Sequence, residues 1–278
     1  MSRRRSCLVM HRRAYTCDIA AAASQEEEPP PPPSDPQIVS ADLLIHFEAN
    51  DPASYPGSGL TWFNIGTGGS TYDATLQSES PPVFIDESIK SFYFDQYLLG
   101  DAVIYASYNH MSFLRPDAIS DDFTYCAWIN TVNSGYGDNH YNLMYIVSTE
   151  TGDLNNDFGF GLDSEGYLAY GDGAYGESDI TIHSNQPVNT GTWTFVAVTR
   201  EKATGSVVLY INGYPDASGT CNIGNTLSTA EYVLIGAEAD FPGFTFGGNI
   251  GAILGNTSVL TPEDILNNFN AQRAIYGV

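Results

Sequence analysis

Residues 193–213, WTFVAVTREKATGSVVLYING, constrain the possible folds of this chain more than any other segment. Residues 193–199 and 207–211 are rich in β-branched and aromatic side chains, which can alternate between the two faces of a sheet. Residues 201–205 separate these runs, contain one glycine and have the length of a short hairpin loop. The dipeptide Asn212-Gly213 tolerates the positive φ angles that a tight turn requires. The segment therefore predicts two antiparallel strands followed by a second turn.

The rest of the chain shows the same short strands separated by turn residues. We predict further strands at residues 43–47, 83–85, 91–94, 123–130, 143–148, 158–162, 167–170, 180–183, 232–235 and 248–254. Because helical periodicity is almost absent, the predicted fold class is all-β, an antiparallel two-sheet sandwich. One short C-terminal helix is predicted at residues 262–274, because Thr261 suits the N-cap and Pro262 suits the first helical position.

Beyond the hairpin, five segments resemble motifs of the laminin-G-like, concanavalin-A-like lectin and glucanase family, in the family's order. They are NDPASYPGSGLTW at 50–62, FYFD at 92–95, DFTYCAWI at 122–129, GGNIG at 247–251 and LTPEDILNNFNAQRAIYG at 260–277. The segment at residues 50–62 resembles the opening loop of phage- and virus-associated members. After the segment at residues 92–95, Gln96 stands where family members usually have glycine. The resemblance implies a jelly roll over roughly residues 41–278. It also implies a family made mostly of binding modules, with enzymes as a minority.

Residues 1–39 differ in composition from the rest of the chain. Five arginines lie between Arg3 and Arg13, and the glutamates at 26–28 are followed by the prolines at 29–33. Such a charged and proline-rich segment predicts a disordered, extended arm and linker. We therefore predict that the jelly-roll domain occupies residues 40–278.

Neither a secretory signal nor a membrane span is predicted. The apolar run at residues 7–10 is shorter than the 7–15 residues of a secretory h-region. No stretch of the sequence approaches the roughly 20 apolar residues that cross a bilayer.

Negative charge is concentrated in the predicted domain. The chain has a formal net charge of −23, and its first 40 residues hold five arginines and five acidic residues, which balance. The remaining residues therefore carry the whole net charge. Such a domain repels the phosphates of nucleic acid, so we expect no nucleic-acid partner for it. The acidity favours either solubility or cation binding. The basic arm Arg3–Arg13 is either a solvated terminus or a contact for an acidic partner.

No catalytic motif is complete in the sequence. The nearest approach to the E-x-D-x-x-E strand motif of some glycoside hydrolases is Glu238-Ala239-Asp240, but Gly243 stands where the last acid belongs. The sequence contains no His-x-His, HExxH or G-x-S-x-G motif. We therefore predict no catalytic residue and a chain that is not an enzyme.

One acidic loop has the spacing of a calcium loop. Asp153, Asn155 and Asp157 place oxygen ligands at positions 1, 3 and 5. Phe158 and Ser164 replace the glycine and the glutamate that a complete EF-hand needs, so the loop would hold an ion only with help from elsewhere. We predict these three residues as calcium ligands, with ordinary Asx-rich turn chemistry as the alternative.

Three loops combine aromatic rings with glycines, amides and carboxylates, as glycan-binding loops do. They are residues 133–141 with Tyr136, His140 and Tyr141, residues 170–177 with Tyr170 and Tyr175, and residues 241–246 with three phenylalanines. We predict the five named side chains of the first two loops as ligand-binding. The alternative is that these rings cover the ends of the sandwich.

These observations favour a non-catalytic recognition or adhesion module that binds a glycan or a protein partner, with calcium as its cofactor. The resemblance of the opening loop implies a virion surface or attachment protein, in a virion or extracellular setting. Two alternatives stay open. One is a structural subunit that uses the basic arm in assembly. The other is a carbohydrate-active enzyme with an unfamiliar site.

Overall fold

Two eight-stranded antiparallel sheets form the sandwich that the sequence predicts. The computed structural model describes residues 36–77, 79–96, 109–151, 156–173, 179–238 and 244–278. In chain order its strands are β1 (Leu43–Glu48), β2 (Thr61–Trp62), β3 (Ala74–Leu76), β4 (Val83–Ile85), β5 (Ser91–Phe94), β6 (Met111–Leu114), β7 (Phe123–Asn130), β8 (Met144–Ser148), β9 (Phe158–Leu162), β10 (Tyr167–Asp172), β11 (Ile180–Pro187), β12 (Thr194–Glu201), β13 (Ser206–Ile211), β14 (Tyr214–Thr220), β15 (Tyr232–Ile235) and β16 (Gly248–Asn256).

The strands divide between the sheets as in a jelly roll. Sheet 1 has the order β14-β13-β12-β7-β16-β5-β4, with β1 also paired to β16. Sheet 2 has the order β11-β10-β9-β8-β15-β6-β3-β2. Helix α1 (Pro262–Gln272) ends two residues before the predicted boundary, and three short 3-10 turns occupy Gly69–Tyr72, Asp117–Ile119 and His140–Asn142.

The predicted hairpin is confirmed as β12 and β13. Val196 pairs with Ile211, and the register runs without interruption to the end of β12. Asn212 and Gly213 adopt φ angles of 50° and 85° and turn the chain directly into β14. The positive φ angles explain why this pair of residues stands at the turn.

Sheet 1 is buried on both faces. In β12, Val196 and Val198 pack into the core between the sheets, whereas Phe195 and Ala197 pack on the opposite face beneath α1. Burial of both faces explains why β12 is apolar at almost every position instead of alternating with polar residues.

The C-terminal segment covers the outer face of sheet 1 through a stack of aromatic rings. Tyr276 stacks on Trp128 with ring centroids 4.3 Å apart and an interplanar angle of 11°, and Phe269 lies on the same indole at 5.8 Å. At the helix start, the Thr261 side chain accepts a hydrogen bond from the Asp264 N–H, and the Asp264 carboxylate accepts one from the Thr261 N–H. The predicted N-cap is thereby confirmed as a capping box.

A buried hydrogen-bond network fastens this segment to β1. Gln272 accepts a hydrogen bond from Trp128 Nε1 at 3.2 Å and donates one to Glu48 Oε2 at 2.9 Å. Tyr276 donates its hydroxyl to Glu48 Oε1 at 3.0 Å. Burial raises the pKa of Glu48, and hydrogen bonds from Asn50, Tyr276 and Gln272 oppose that rise.

The described chain is fixed to the domain from its first residues. The Val39 N–H donates to Asn268 Oδ1 at 2.7 Å, which ties the start of the domain to α1. Residues 1–35, including the arginines of the arm, lie outside the described residues, so the arm stays a prediction. No helix among the described residues has the length and hydropathy of a membrane span.

We expect Gln272→Ala to lower the free energy of unfolding by about 1–3 kcal/mol, because it removes the hydrogen-bond partner of Trp128 Nε1 and of Glu48 Oε2, whereas Glu48 Oε1 keeps its bond from Tyr276. Asn270→Ala, the same kind of truncation at a partly exposed position of α1, should change it by less than about 0.5 kcal/mol. Urea unfolding of the full chain measures both. Equal effects of the two substitutions would contradict the bridging role of Gln272.

Candidate functional site

Paired glycines open a shallow groove in the outer face of sheet 2. In β9, Phe158 and Phe160 point into the core, so Gly159 faces outward. Gly159 pairs with Gly171 of β10. A Cβ atom at these two positions would lie 2.3 Å from the His140 carbonyl oxygen and 2.7 Å from His140 Cβ, respectively. The two glycines therefore give His140 its place on the sheet.

Neighbouring hydrogen bonds fix the backbone of His140 in this groove. Its N–H donates to Thr181 Oγ1 at 2.8 Å, and Tyr145 donates its hydroxyl to the His140 carbonyl at 3.0 Å. Only 2% of His140 is exposed. The imidazole therefore lies inside the protein, where burial lowers its pKa.

The β8–β9 connection brings two carboxylates to this imidazole. Glu150 follows β8 and Asp157 precedes β9, so antiparallel pairing places both at the same end of sheet 2. Glu150 Oε2 lies 3.3 Å from His140 Nε2, and one donor atom from each of the three residues lies within 4.8 Å of the others. Glu150 is 5% exposed and Asp157 is 1% exposed. We call His140, Glu150 and Asp157 the rim cluster.

One oxygen of each carboxyl group in the rim cluster has no hydrogen-bond donor among the described residues. Glu150 Oε2 and Asp157 Oδ1 are buried and accept no hydrogen bond from this part of the chain, although the 3.3 Å contact of Glu150 with His140 is short enough for an ion pair. Burial raises the pKa of Glu150 to about 9, and the charges of Asp157 and Glu238 raise it further. Burial likewise raises the pKa of Asp157 to about 7.

Gly173 leaves an open space beside the rim cluster. A Cβ atom at this position would lie 3.0 Å from Asp157 Oδ1, 3.6 Å from His140 Nε2 and 3.7 Å from Asp179 Oδ1. Three potential ligand atoms therefore surround a point that a side chain would fill.

A compensated ion pair lies next to the rim cluster and joins the two sheets. Arg200 Nε of β12 donates to Asp172 Oδ2 of β10 at 2.9 Å, and both side chains are fully buried. Arg200 also donates to the Asp121 carbonyl at 2.7 Å, and Asn222 donates to Asp172 Oδ1 at 3.0 Å. Both oxygens of Asp172 therefore accept hydrogen bonds, whereas Glu150 Oε2 and Asp157 Oδ1 accept none among the described residues.

A cavity of about 370 Å³ adjoins the rim cluster on the same face of sheet 2. Its floor includes Ser112 and Leu234, which pair across β6 and β15. Tyr232 is 46% exposed at its edge. Thr151 connects the cavity to the cluster, because it lines the cavity and its N–H donates to Asp157 Oδ2 at 3.3 Å.

A larger cavity of about 620 Å³ lies between β11 and β14. Its carboxylate, Asp216, already accepts hydrogen bonds from the Asn185 N–H and the Gln186 side chain. Asp216 and Asn185 therefore use their hydrogen-bonding groups within the protein, and the cavity beside Thr151 is the better candidate for a ligand.

The predicted ligand-binding residues fall in different environments. Tyr170 is fully buried between Phe123 and Phe158, so its prediction as a surface ligand contact is wrong. Its position in β10 alternates with outward-facing Ala169 and Gly171, which sends the ring into the core. Tyr136 is half-buried and packs on Phe244, with ring centroids 5.1 Å apart.

The remaining predicted residues divide between the surface, the rim cluster and the undescribed segments. Tyr141 is exposed beside the buried His140, whose ring is inaccessible to a glycan and lies instead among carboxylates. Asp157 belongs to the rim cluster. Asp153, Asn155 and Tyr175 lie outside the described residues, so the calcium loop stays a prediction.

Sequence reasoning missed Glu150, Gly173 and Tyr232. The groove could have been predicted from β9, in which glycines alternate with large apolar residues. Such glycines indicate a face of the sheet that another segment covers. Glu150 itself carries no local signal, because it meets His140 only after β8 and β9 have paired.

A family model described as the concanavalin A-like lectin/glucanases superfamily matches residues 106–266, which is more than half of the chain. No curated protein matches the chain.

Several solved structures share the fold at low sequence identity. The binding domain of botulinum neurotoxin DC in complex with SialylT has 13% identity and a TM-score of 0.58, over 84% of this chain and 52% of that chain. The same toxin domain with rat synaptotagmin II has 15% identity and a TM-score of 0.59. Domain 4 of AbnA, an extracellular arabinanase from Geobacillus stearothermophilus, in complex with arabinotriose, has 18% identity and a TM-score of 0.55, over 82% of this chain and 98% of that chain. This chain thus spans about half the length of the toxin domain.

We expect Asp172→Asn to lower the free energy of unfolding by about 3–5 kcal/mol, because Arg200 would remain buried without its counter-charge. Asp86→Asn removes an acid from an exposed ion pair with Lys90 and should cost less than about 1 kcal/mol. Chemical denaturation of both variants tests this. A cost for Asp172→Asn as small as that of the surface control would contradict a stabilising pair.

A second histidine predicts a pH dependence of stability. His183 Nδ1 lies 2.8 Å from Asp163 Oδ2. This hydrogen bond raises the pKa of His183 against the effect of partial burial. Burial alone would raise the pKa of Asp163, but hydrogen bonds from His183, Tyr167 and Glu165 hold it below its ordinary value.

The contribution of His183 to stability is therefore complete below its unfolded pKa of about 6.5 and is lost as the pH rises through its higher folded pKa. The Asp163 contribution is present above its unfolded pKa of about 3.9 and is lost as the pH falls through its lower folded pKa.

We expect His183→Gln to destabilise the protein by up to about 1 kcal/mol near pH 5.5 and by less near pH 8.5. Urea unfolding at the two pH values measures the difference. Asp163→Asn should remove the same pH-dependent part of the stability. A larger cost of His183→Gln at the higher pH would contradict the protonated pair.

Proposed function

The chain belongs to the concanavalin A-like lectin/glucanase superfamily, and on that premise we propose that its domain is a non-catalytic recognition module that binds a glycan in the cavity beside Thr151. The observation that carries the proposal is the exposed ring of Tyr232 at the edge of a cavity with hydroxyl groups on its floor and wall. A tyrosine ring offers a flat apolar surface with a polar tip, which suits the mixed surface of a sugar.

The chemistry of the cavity matches a neutral, hydroxyl-rich ligand. Ser112 can donate and accept hydrogen bonds, and Glu231 can accept them. The Thr151 hydroxyl donates to the Thr149 carbonyl at 3.3 Å and can accept a hydrogen bond from a ligand. The volume of about 370 Å³ lies within the usual range for small-ligand sites. Arg115 supports the wall, because its Nε donates to the Ala230 carbonyl at 2.6 Å.

The structural relatives support this class of ligand. The Geobacillus arabinanase domain was solved with arabinotriose, and the toxin binding domain was solved with SialylT and, separately, with synaptotagmin II. A protein partner is therefore the alternative ligand. The fold alone does not decide between them, because one fold carries many functions.

The burial of the rim cluster favours recognition over catalysis. Carboxylate oxygens of Glu150 and Asp157 lie within 4.8 Å of each other, near the separation of about 5 Å in retaining glycosidases. In such enzymes both carboxylates contact the sugar. Here the two side chains are almost completely buried, and a sugar in the adjoining cavity would contact Thr151 instead.

We propose that the biological role is attachment to a surface glycan. The loop at residues 50–62 resembles the opening loop of virus-associated members of the family, and this resemblance supports a virion as the setting. Mass spectrometry of purified particles from the source organism tests this setting. Absence of the protein from such particles would contradict the setting and leave the binding proposal intact.

We expect the full-length chain to bind an oligosaccharide on an array that includes arabino-oligosaccharides and sialylated glycans. Tyr232→Ala should weaken the binding of that oligosaccharide at least tenfold, because it removes the stacking surface. Tyr214→Ala removes a ring that is 61% exposed on β14, outside the cavity, and should leave the affinity unchanged. Calorimetry with the array hit measures both affinities.

Two outcomes would contradict the proposal. One is the absence of binding to any glycan on the array. The other is equal affinity of Tyr232→Ala and the wild-type chain, which would place the ligand elsewhere. Release of reducing ends from the bound oligosaccharide would contradict the non-catalytic role.

A further inference from the structure

We propose that His140, Glu150 and Asp157 bind one divalent transition-metal ion of the class that accepts an imidazole nitrogen, such as Zn²⁺ or Mn²⁺. The inference rests on the geometry and burial of the rim cluster and does not depend on glycan binding. It concerns an ion site that supports the edge of the sandwich.

The donor atoms of the rim cluster are arranged as a metal site requires. A tetrahedral zinc site with bonds of about 2.0–2.1 Å separates its donors by about 3.3 Å. His140 Nε2 and Glu150 Oε2 already lie 3.3 Å apart, and Asp157 contributes a third donor within 4.8 Å of both. A small inward movement of Asp157 would complete three ligand contacts.

An open space lies beside these donor atoms. The missing Cβ of Gly173 leaves room against Asp157 Oδ1, His140 Nε2 and Asp179 Oδ1. The first two of these atoms belong to the rim cluster. Asp179 is exposed, so its carboxylate or a water molecule can take the remaining position.

Leaving the cluster without an ion has a cost. Glu150 Oε2 and Asp157 Oδ1 have no hydrogen-bond partner among the described residues, within side chains that are more than nine-tenths buried. A buried carboxylate stays ionised at small cost only when it is paired, hydrogen-bonded or bound to a metal. A divalent cation would satisfy both oxygens at once.

The donor set distinguishes this site from a calcium site. Calcium takes six to eight oxygen ligands, whereas the rim cluster offers an imidazole nitrogen and two carboxylates. Imidazole is a preferred ligand of zinc and other first-row transition metals. The structure therefore brings Asp157 of the predicted calcium loop to a histidine.

An ion here would join three segments of sheet 2. His140 comes from the segment before β8, Glu150 and Asp157 come from the β8–β9 connection, and Asp179, the candidate for the fourth position, ends the β10–β11 connection. Thr151 is held by Asp157, so the ion would also fix one wall of the adjoining cavity.

The test is thermal unfolding of the full chain after removal of metals with chelator. Zn²⁺ or Mn²⁺ added alone should raise the midpoint by several degrees, because an ion that binds only the native state stabilises it. Ca²⁺ at the same concentration should raise the midpoint less, because the rim cluster offers an imidazole nitrogen and only two carboxylates. Calorimetry should show one ion per chain. A shift with Ca²⁺ only, or with no ion, would overturn the proposal.

Three variants assign the shift to this cluster. His140→Gln removes the nitrogen ligand, and Gly173→Ala keeps every ligand but fills the space beside them. Both should abolish the shift. His183→Gln removes a histidine of β11 outside the cluster and should keep it. A shift that persists in His140→Gln or Gly173→Ala would overturn the assignment.

X-ray absorption of the zinc-loaded wild-type chain keeps the test independent of how well the variants fold. The expected spectrum has a nitrogen and oxygen shell at about 2.0–2.2 Å with the signature of one imidazole. An oxygen-only shell would overturn the proposal. Because Tyr232→Ala changes the cavity and none of the metal ligands, failure of the glycan proposal and failure of the metal proposal give different results.

Discussion

Compensation of buried negative charge is the constraint on which this structure depends. Residues 41–278 carry the whole net charge of −23 and contain only five basic residues. Each buried acid must therefore find one of few cations, a set of hydrogen-bond donors or a proton. Asp172 has Arg200, and Glu48 has Gln272 and Tyr276. Both solutions join elements that are distant in sequence. The compensating groups of the acids thus also hold the layers of the fold together.

The same constraint separates the structural parts of the molecule from its functional end. Arg200 links β12 to β10, so the sheets are fastened where the β8–β9 and β10–β11 connections emerge. The domain can hold Glu150 and Asp157 there without losing its packing, because the neighbouring ion pair fixes the strands beside them. Glu150 Oε2 and Asp157 Oδ1 depart from the rule that buried polar atoms find hydrogen-bond partners, and such departures are expected at functional sites.

Most of the fold was readable from local pattern, whereas the site was not. The turn at Asn212-Gly213 and the cap at Thr261 are short-range features, and their chemistry determines backbone geometry directly. Tyr170 was misjudged because its neighbours suggested a loop, although the small residues on either side of it already indicated an inward-facing ring. His140, Glu150 and Gly173 come from separate connections. Their meeting depends on strand register, which no single segment encodes.

The position of the rim cluster limits how it can influence a ligand. Its side chains are too deeply buried to contact a sugar, so any effect on affinity must pass through Thr151 and the backbone that it shares with Glu150. The other wall of the cavity is already fixed by the pairing of β6 with β15 and by Arg115. One wall of the cavity is therefore part of sheet 2. The other wall is formed by Thr151, so its shape depends on how rigidly the β8–β9 connection is held. Ordering that connection before the ligand arrives would lower the entropy cost of binding without adding a contact. An ion in the rim cluster would then act by preorganisation, which distinguishes this arrangement from a lectin whose metal contacts the sugar directly.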